Sequence, residues 1–341
     1  MVFSALSVAF LYCRHGQEVA PDPVRFLPIP AFRVARPVAA CKSRGMEDRL
    51  NELRALASHA ENRRTDTGIP RVAMVQGKIP EHELAAVYDP MVNLILQGRK
   101  SMTIGDRTLD YDPASYFVMS IDLPAVGAIH AAATGEPYLA VSLTIDPHVV
   151  AGMLADAPPL SLANLHVGGF SVASVTPDLL DAWERMLRLM RVPGDIPVLA
   201  PAYEREILYR VLQGPHGAML RNIAMPDTAL SRMRLAIQWI RGNFRSPMRV
   251  EALADMVAMS ASSFHRHFKA ATAMSPLQFQ KQIRLLHART MLIGGAESAA
   301  AVAFEVGYES ASQFSREYAR FFGLPPSRDA SKVQSELGRS S

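Results

Sequence analysis

Cysteine is scarce in this chain, whose 341 residues include only Cys13 and Cys41, both near the N-terminus. The remainder therefore has no thiol for a disulfide framework, a thiolate metal site or a cysteine-based redox sensor. Long apolar runs are also missing. No apolar run reaches the roughly 18 residues that a membrane-spanning helix requires, which predicts that the chain has none.

Charge is unevenly distributed along the chain. The composition is 49% hydrophobic with a mean hydropathy of +0.07, as in globular proteins, and the formal net charge is +4. From Leu230 onward there are 15 Lys and Arg residues against 8 Asp and Glu residues, whereas the preceding part has a small excess of acidic residues. A basic C-terminal third beside a mildly acidic remainder indicates a polyanion-binding module joined to another domain.

Residues 250–269 have the pattern of a helix-turn-helix unit. A short apolar-periodic helix is followed by Ser260, a residue suited to cap the N-terminus of a second helix. On that second helix Phe264 and Phe268 are four residues apart and share a face, which we expect to point inward. The polar residues of the opposite face can reach base edges or phosphates in a major groove. They are Ser262, His265, Arg266 and Lys269.

Residues 298–320 repeat this pattern about fifty residues later. Gly307 suits the turn, because a positive φ is cheap only without a Cβ. Ser310 is placed to cap the second recognition helix, with Phe314 and Tyr318 pointing inward. The outward residues are Ser312, Ser315 and Arg316.

One such unit alone is equally well explained as a pair of surface helices in an all-α domain. Two units with the same serine cap, aromatic pair and outward arginine favour DNA binding. The segment between them, residues 275–292, reads as one helix with Pro276 near its start. A helix of that length spans roughly 27 Å, which is compatible with two recognition helices about one DNA turn apart.

Residues 231–328 resemble the DNA-binding domain of the AraC/XylS family of bacterial transcription regulators. The segments that carry the resemblance are MSASSFHRHFK, SPLQFQKQIRLLHARTML and VGYESASQFSREYARFFGLPP. The resemblance implies that both recognition helices enter successive major grooves on one side of the duplex. By position, the implied DNA contacts are Ser262, His265 and Arg266 in the first helix and Ala311, Ser312, Ser315 and Arg316 in the second.

The chain departs from the family pattern at three places. Ala273 replaces the usual glycine before Ser275, so we expect this turn to avoid a positive φ. Asp329 and Ala330 stand where the family has an aromatic residue and arginine, which leaves the end of the domain undefined. Residues 318–320 read Tyr-Ala-Arg instead of Phe-Lys-Arg, with the loss of one cation.

Residues 68–146 read as short strands joined by turns, with Gly105 and Asp106 as a two-residue hairpin turn. Such strands predict an antiparallel barrel or sandwich, which can enclose a small-molecule cavity. Residues 65–154 also resemble the AraC-type N-terminal domain, which implies a cupin-like ligand-sensing barrel. That domain lies ahead of the DNA-binding domain in the family.

Candidate effector-pocket residues are Tyr88, Tyr116 and Tyr138, although aromatic side chains in a small barrel more often belong to the core. Arg99 and Lys100 read first as turn charges and second as contacts for a ligand carboxylate.

An enzymatic barrel of the cupin type would require a metal site, usually begun by an HxH pair. The only HxH is His265 with His267, on a recognition helix where residues i and i+2 face different directions. Nucleophile-elbow, P-loop and dinucleotide-binding motifs are also missing from the sequence. We therefore expect no catalytic residues, no metal and no cofactor. The histidines of the predicted barrel region are scattered, namely His82, His130, His148 and His166.

The predicted fold class is α+β with two domains. Residues 46–213 form the cupin-like domain with flanking helices, residues 214–227 a linker, and residues 228–330 the double helix-turn-helix domain. Residues 1–45 are expected to be a disordered extension, or to lie upstream of a true start at Met46, and residues 331–341 a disordered tail.

Two amphipathic helices are predicted between the domains, at residues 177–192 and 201–212. In this family's architecture such helices often pair two subunits, so the apolar face of the first one suggests a homodimer. The alternative is that this face packs only on its own barrel.

The favoured function is a cytoplasmic, sequence-specific transcription regulator controlled by a small-molecule effector in the barrel. Its expected partners are double-stranded DNA, the effector, RNA polymerase and a second copy of the chain. The alternatives are a non-specific architectural DNA binder and a cupin-type enzyme with an accessory helical domain. The architectural binder predicts equal affinity for any duplex, governed by salt.

Overall fold

The structure is a computed structural model. It describes residues 45–61, 64–77, 84–156, 168–296 and 298–337, and every structural statement below refers to these ranges. The extension predicted for residues 1–45 lies outside them except for Gly45, and so do His82, His166 and the last four residues.

Ten strands form the N-terminal domain in two antiparallel sheets. One sheet has the order β1-β2-β9-β4-β7-β10 and the other β3-β8-β5-β6, and no ladder between the described strands joins the two. The strands are β1 (Thr65–Asp66), β2 (Val72–Gln76), β3 (Ala85–Tyr88), β4 (Met91–Gln97), β5 (Arg99–Ile104), β6 (Arg107–Tyr111), β7 (Ser115–Met119), β8 (Leu123–His130), β9 (Leu139–Thr144) and β10 (Phe170–Ser174). The predicted α+β class is confirmed, as two sheets that do not close.

The predicted hairpin turn at Gly105 and Asp106 is confirmed, because Ile104 of β5 pairs directly with Arg107 of β6. A two-residue connection suits antiparallel strands when its first residue has a positive φ, and Gly105 has a φ of 59°. This hairpin projects from the smaller sheet, and its tip takes part in the contact between the two domains described below.

Five helices accompany the sheets. They are α1 (Met46–Leu56), α2 (Pro147–Leu154), α3 (Pro177–Arg188), α4 (Ile196–Gln213) and α5 (Gly217–Ala224). The apolar face of α3, which includes the fully buried Trp183, packs within the chain between α1 and α4. Arg49 of α1 reaches Asp181 of α3 across 2.6 Å. The face on which the homodimer prediction rests is therefore occupied by the protein's own core.

The linker predicted for residues 214–227 is wrong in extent. Most of it is helix α5, in which Met219 and Leu220 are fully buried, and which packs against α2 and α4 of the N-terminal domain and against the helix that follows it. Only the residues between Ala224 and Thr228 connect the domains, because Thr228 caps the next helix through its bond with the Ser231 amide.

Seven helices form the C-terminal domain. They are α6 (Ala229–Gly242), α7 (Val250–Met256), α8 (Ala261–Thr272), α9 (Pro276–Ile293), α10 (Ala299–Glu305), α11 (Ala311–Phe322) and α12 (Pro326–Leu337). Both predicted helix-turn-helix units are confirmed, as α7 with α8 and α10 with α11. Ser260 and Ser310 cap the recognition helices α8 and α11, as expected. The connecting helix α9 begins with a capping box between Ser275 and Gln278.

Two expectations for this domain are wrong. Ala273 does adopt a positive φ, of 58°, as the left-handed cap residue that follows α8, where its amide still bonds to the Lys269 carbonyl at 2.8 Å. The predicted disordered tail is helical up to Leu337, because Val333 is buried and Gln334 donates to the Ile293 carbonyl at 3.1 Å.

Asp329 attaches the last helix to the rest of the domain, although its position departs from the family pattern in the sequence. Its carboxylate accepts hydrogen bonds from Arg289 at 2.8 and 2.9 Å and from the Tyr318 hydroxyl at 2.7 Å. Arg289 also lies over the Phe322 ring, 4.4 Å from its centroid. The ion pair of Arg289 and Asp329, with its contacts to Tyr318 and Phe322, joins α9, α11 and α12.

Candidate DNA-binding interface and sensor interior

The recognition helix α8 has one buried face and one exposed face. Phe264 and Phe268 have no exposed surface, and the Phe268 ring meets Phe279 of α9 edge to face. The opposite face is exposed, and the hydrogen bond that its Arg266 makes within the described residues is a long one of 3.4 Å to the Ser263 hydroxyl. All four residues predicted for it are exposed, namely Ser262, His265, Arg266 and Lys269.

The second recognition helix α11 has the same arrangement with one difference. Phe314 and Tyr318 are fully buried, Ser312 and Arg316 are exposed, and Ser315 is half-buried. Ala311 packs partly against the core, so only part of its surface faces the solvent. Two further residues, Gln313 and Arg320, are exposed on this helix and were not among the predicted DNA contacts. The spacing of Arg320 four residues after Arg316 is the signal that could have identified it.

The two recognition helices are tied to the 18-residue helix α9. Lys281 of α9 forms an ion pair of 2.8 Å with Glu317 of α11, and the Tyr308 hydroxyl donates to the same carboxylate at 2.9 Å. Burial opposes ionisation of Glu317, but hydrogen bonds from Lys281, Gln313 and Tyr308 lower its pKa. The carboxylate therefore stays ionised at neutral pH and keeps α11 attached to α9.

The first unit is attached to the second through the turn after α6. Gln280 and Arg284 of α9 donate to the Phe244 carbonyl at 3.0 and 2.7 Å. Gly307, in the turn of the second unit, has a φ of 90° and passes so close that a Cβ would lie 2.1 Å from the Arg245 carbonyl oxygen. These contacts hold the two helix-turn-helix units at one spacing.

The sensor domain touches the C-terminal end of α8. The Gly169 amide, just before β10, donates to the Ala271 carbonyl at 3.0 Å. At the tip of the β5–β6 hairpin, a Cβ on Gly105 would lie 2.4 Å from the Ala273 carbonyl oxygen, so only glycine fits against the helix end. A cavity of about 310 Å³ at the tip is lined by Gly105 and Asp106 together with residues of both helix-turn-helix units. Basic residues in its lining are Lys269, Lys281 and Arg320.

An ion pair makes a second contact between the domains. Arg241 of α6 bonds to Asp122, just before β8, and lies 3.4 Å from Asp89. Burial raises the pKa of the Asp122 carboxyl, the charge on Arg241 opposes that rise, and the nearby Asp89 adds to it. The arginine is therefore needed to hold two carboxylates together at the domain boundary.

We expect Arg241→Ala to loosen the domain contact, because it leaves the nearly buried Asp122 without a cation. Exchange of the Gly169 amide should accelerate about tenfold, equivalent to about 1.4 kcal/mol, when followed by hydrogen–deuterium exchange. Gln238→Ala removes an exposed side chain from the same helix and should leave this exchange unchanged. Equal protection in both variants would show that the ion pair does not hold the domains together.

The three candidate pocket tyrosines do not lie together. Tyr116 is buried on the opposite face of β7 from Phe117, and its hydroxyl lies 3.1 Å from Nδ1 of His216. Burial raises the pKa of Tyr116 to about 12. Tyr88 and Tyr138 lie instead with Tyr111 in the space between the sheets, where burial raises the pKa of each.

Arg99 and Lys100 are neighbours in sequence but face opposite sides of β5. Arg99 is exposed, which agrees with a charge at the start of the strand. The first interpretation of Lys100, as a turn charge, is wrong, because its side chain is buried between the sheets with only 6% of its surface exposed. Its Nζ lies 5.2 Å from the centroid of the Tyr88 ring. The alternation of side chains along a strand explains the difference between the two residues.

No cluster of three or more His, Cys, Asp or Glu residues within the described ranges is arranged to hold a metal ion. In the same ranges no helix has the length and apolar composition needed to cross a bilayer.

Two family models match the chain, one for each domain. Residues 68–219 match the AraC-type transcriptional regulator N-terminus, and residues 253–331 match a helix-turn-helix domain. Each match lies within one of the two structural domains.

Curated relatives match over part of the chain. The HTH-type transcriptional activator RhaS of Escherichia coli strain K12 is 27% identical over 136 residues, which are 39% of this chain and 46% of that protein. RhaS of Escherichia fergusonii is 32% identical over 140 residues, with 39% and 49% covered. The chain thus spans about half the length of the curated relatives it matches.

Solved structures of ToxT from Vibrio cholerae resemble the whole two-domain arrangement. One aligns with a TM-score of 0.51 at 10% identity and covers 76% of this chain and 98% of ToxT. An apo form of a ToxT variant aligns with a TM-score of 0.50 at 10% identity and covers 79% and 98%. At this identity the likeness establishes the fold alone.

Proposed function

Because the chain belongs to the AraC-type transcription regulators, we propose that it binds specific double-stranded DNA sequences and regulates transcription under the control of a small-molecule effector. The observation that carries the proposal is the pair of recognition helices, each with a buried aromatic face and an exposed polar face, attached to one connecting helix. Two such faces at a fixed spacing suit successive major grooves on one side of a duplex.

The exposed side chains favour sequence reading over simple charge attraction. Arg266 and Arg316 can each donate two hydrogen bonds to a guanine edge, and short serine hydroxyls between them can read neighbouring bases. Lys269 and Arg320, at the later turns of their helices, suit phosphate contacts that position the protein. A non-specific architectural binder would need only the cations.

The contact between the sensor domain and α8 supports control by an effector. The hairpin residues Asp106 and Arg107 line a shared surface depression with His265, Arg266 and Lys269 of the recognition helix. In the proposal this docked arrangement is one of two states, and the effector shifts the equilibrium by binding one state more tightly than the other.

The proposal places the protein in the cytoplasm, with DNA and RNA polymerase as its macromolecular partners and no enzymatic activity. A homodimer belongs to the same proposal, through a surface other than the buried face of α3. Val192 and Val198, beside the junction of α3 and α4, are exposed apolar residues available for such a contact, at 52% and 75% exposure.

We expect Arg266→Ala and Arg316→Ala each to weaken binding to the cognate site by about 1–3 kcal/mol, since each removes a donor to a base edge. Fluorescence anisotropy with a labelled duplex measures the loss at fixed salt. Arg191→Ala is the control, because it removes another exposed arginine, with 62% of its side chain accessible, from the N-terminal domain. Wild-type affinity in both recognition-helix variants would refute the placement of these helices in the grooves.

The test of the function itself is a pull-down of fragmented genomic DNA by the purified full chain, with sequencing of the bound fragments. Enrichment of a few promoters that share a sequence motif is the expected result. Uniform recovery that falls steeply with salt would support the architectural binder instead.

A further inference from the structure

Five polar side chains form a cluster in the space between the two sheets, here termed the interior cluster. Lys100 belongs to β5, the strand between β6 and β8. It stands opposite Tyr111 of β6 on one side and Ile129 of β8 on the other. Its Cε lies 3.2 Å from the place that a Cβ on Gly127 would occupy, so this glycine makes room for the lysine. The members are Tyr88, Asn93, Lys100, Tyr111 and Tyr138.

Three members of the interior cluster have hydrogen-bond partners. The Tyr111 hydroxyl donates to Asn93 at 2.9 Å, and the Asn93 amide donates to the Val141 carbonyl at 3.3 Å. The Tyr88 hydroxyl donates to the Leu84 carbonyl at 2.8 Å. Satisfied polar groups of this kind are normal inside a protein and require no ligand.

The other two members are not satisfied within the described part of the chain. The Lys100 ammonium contacts the Tyr88 ring, and neither a carboxylate nor another acceptor among these residues lies within hydrogen-bonding distance of it. The buried Tyr138 hydroxyl likewise has no partner there. An ammonium in such a place costs several kcal/mol unless an anion or strong acceptor joins it. A buried cation beside an unused hydroxyl points to a missing anionic group.

We propose that the interior cluster is the effector site, and that it binds a small molecule with one carboxylate on an apolar or aromatic body. The carboxylate pairs with the Lys100 ammonium and accepts a hydrogen bond from the Tyr138 hydroxyl. The body lies against the apolar side chains that follow on the same face of β5, Met102 and Ile104. This inference rests on the proposed function, in which the N-terminal domain senses an effector.

The donor set excludes other common effector classes. A neutral sugar would leave the ammonium without a counter-charge, whereas a phosphate dianion would bring one negative charge more than the single ammonium can neutralise. A purely apolar ligand would bury the charge further and gain nothing from it. One carboxylate matches both the charge and the number of donors.

The site is on the strand that reaches the DNA-binding domain. From Lys100, β5 runs to its end at Ile104, and the next residue, Gly105, packs its backbone against the end of α8. The distance from Lys100 to Gly105 along the chain is about 16 Å at 3.3 Å per residue. A shift of β5 on ligand binding therefore acts on the hairpin tip beside His265 and Arg266.

The test is isothermal titration calorimetry of the full chain without DNA. The probes are benzoate, 3-phenylpropionate and octanoate, each compared with its primary amide. We expect at least one carboxylate to bind, with its amide at least about tenfold weaker, because the amide has no charge for Lys100. Lys100→Met should weaken that carboxylate about tenfold or more and Tyr138→Phe about fivefold. Arg205→Met, which removes an exposed charge from α4, away from both the interior cluster and the domain contact, should bind as the wild type does.

The pH dependence of carboxylate binding distinguishes the buried Lys100 from an exposed lysine. Burial lowers the pKa of Lys100 to about 8, so carboxylate affinity should fall as the pH rises through about 8. The titratable groups that face it are Tyr88, Tyr111 and Tyr138, and burial raises the pKa of all three, so they stay neutral in this range. Binding through an exposed lysine would persist to about pH 10.

Folding of Lys100→Met is checked by its thermal midpoint, which should equal or exceed that of the wild type because a buried unpaired charge is removed. Equal carboxylate affinity in wild type and Lys100→Met, or no carboxylate that binds better than its amide, would overturn the inference. Binding that depends on Lys100 but leaves cognate-DNA affinity unchanged would support the ligand site and count against effector control. If the pull-down enriches no promoters, sequence-specific DNA binding is contradicted, but the ligand site is not.

Discussion

Asp329→Ala should destabilise the C-terminal domain by about 3–5 kcal/mol, the cost of leaving a buried partner charge uncompensated. Asp329 has only 2% of its surface exposed, and the Arg289 side chain only 12%. Removal of the carboxylate takes two charge-assisted bonds from the guanidinium and one from the Tyr318 hydroxyl. Both groups remain buried, so water cannot replace the lost acceptor.

Urea unfolding followed by circular dichroism measures this loss. The matched control is Glu305→Ala, which breaks the ion pair with Arg245, where 49% and 60% of the side chains are exposed. Solvent screens that pair, so its removal should cost no more than about 1 kcal/mol. Similar losses in the two variants would mean that Asp329 does not hold α9, α11 and α12 together.

Phe264→Ala should cost about 3–5 kcal/mol and abolish DNA binding with it, since the change leaves a cavity behind the first recognition helix. The Phe264 ring is fully buried and lies 5.5 Å from that of Phe268, which in turn contacts Phe279 of α9. These three rings form the packing contact between α8 and α9. Without it the exposed residues of α8 lose their orientation toward the groove.

Thermal and urea unfolding with a DNA-binding assay test this prediction together. Ser262→Ala, on the exposed face of the same helix, should change stability by no more than about 0.5 kcal/mol and affect only affinity. Phe264→Leu keeps most of the buried volume and should lose less than Phe264→Ala. A stability loss below about 1 kcal/mol for Phe264→Ala would contradict the role of the aromatic row.

The helix-turn-helix units were predictable because their signals are local. A serine cap and an aromatic pair four residues apart act within a single helix, so Ser260 with Phe264 and Phe268 sufficed to place α8. The hairpin at Gly105 was predictable for the same reason, because a two-residue turn depends on its own backbone angles.

The elements that were missed depend on contacts with distant residues. Helix α5 follows a Gly-Pro pair and is only 8 residues long, too short to show a period, and burial of Met219 and Leu220 holds it in place. The last turns of α12 have a polar composition, and one buried side chain, Val333, together with bonds to the end of α9, makes them helical.

The family resemblance, the order of the domains and the polar faces of the two recognition helices follow from local sequence patterns. Three other features depend on how the chain folds: Lys100 lies between the sheets, Tyr116 bonds to His216, and Asp329 closes the DNA-binding domain. Strand register and helix docking join residues far apart in the chain, and the free energy of burying a charge depends on which distant group faces it. For Lys100 no such group lies within the described residues, and this is the reason to expect a ligand there.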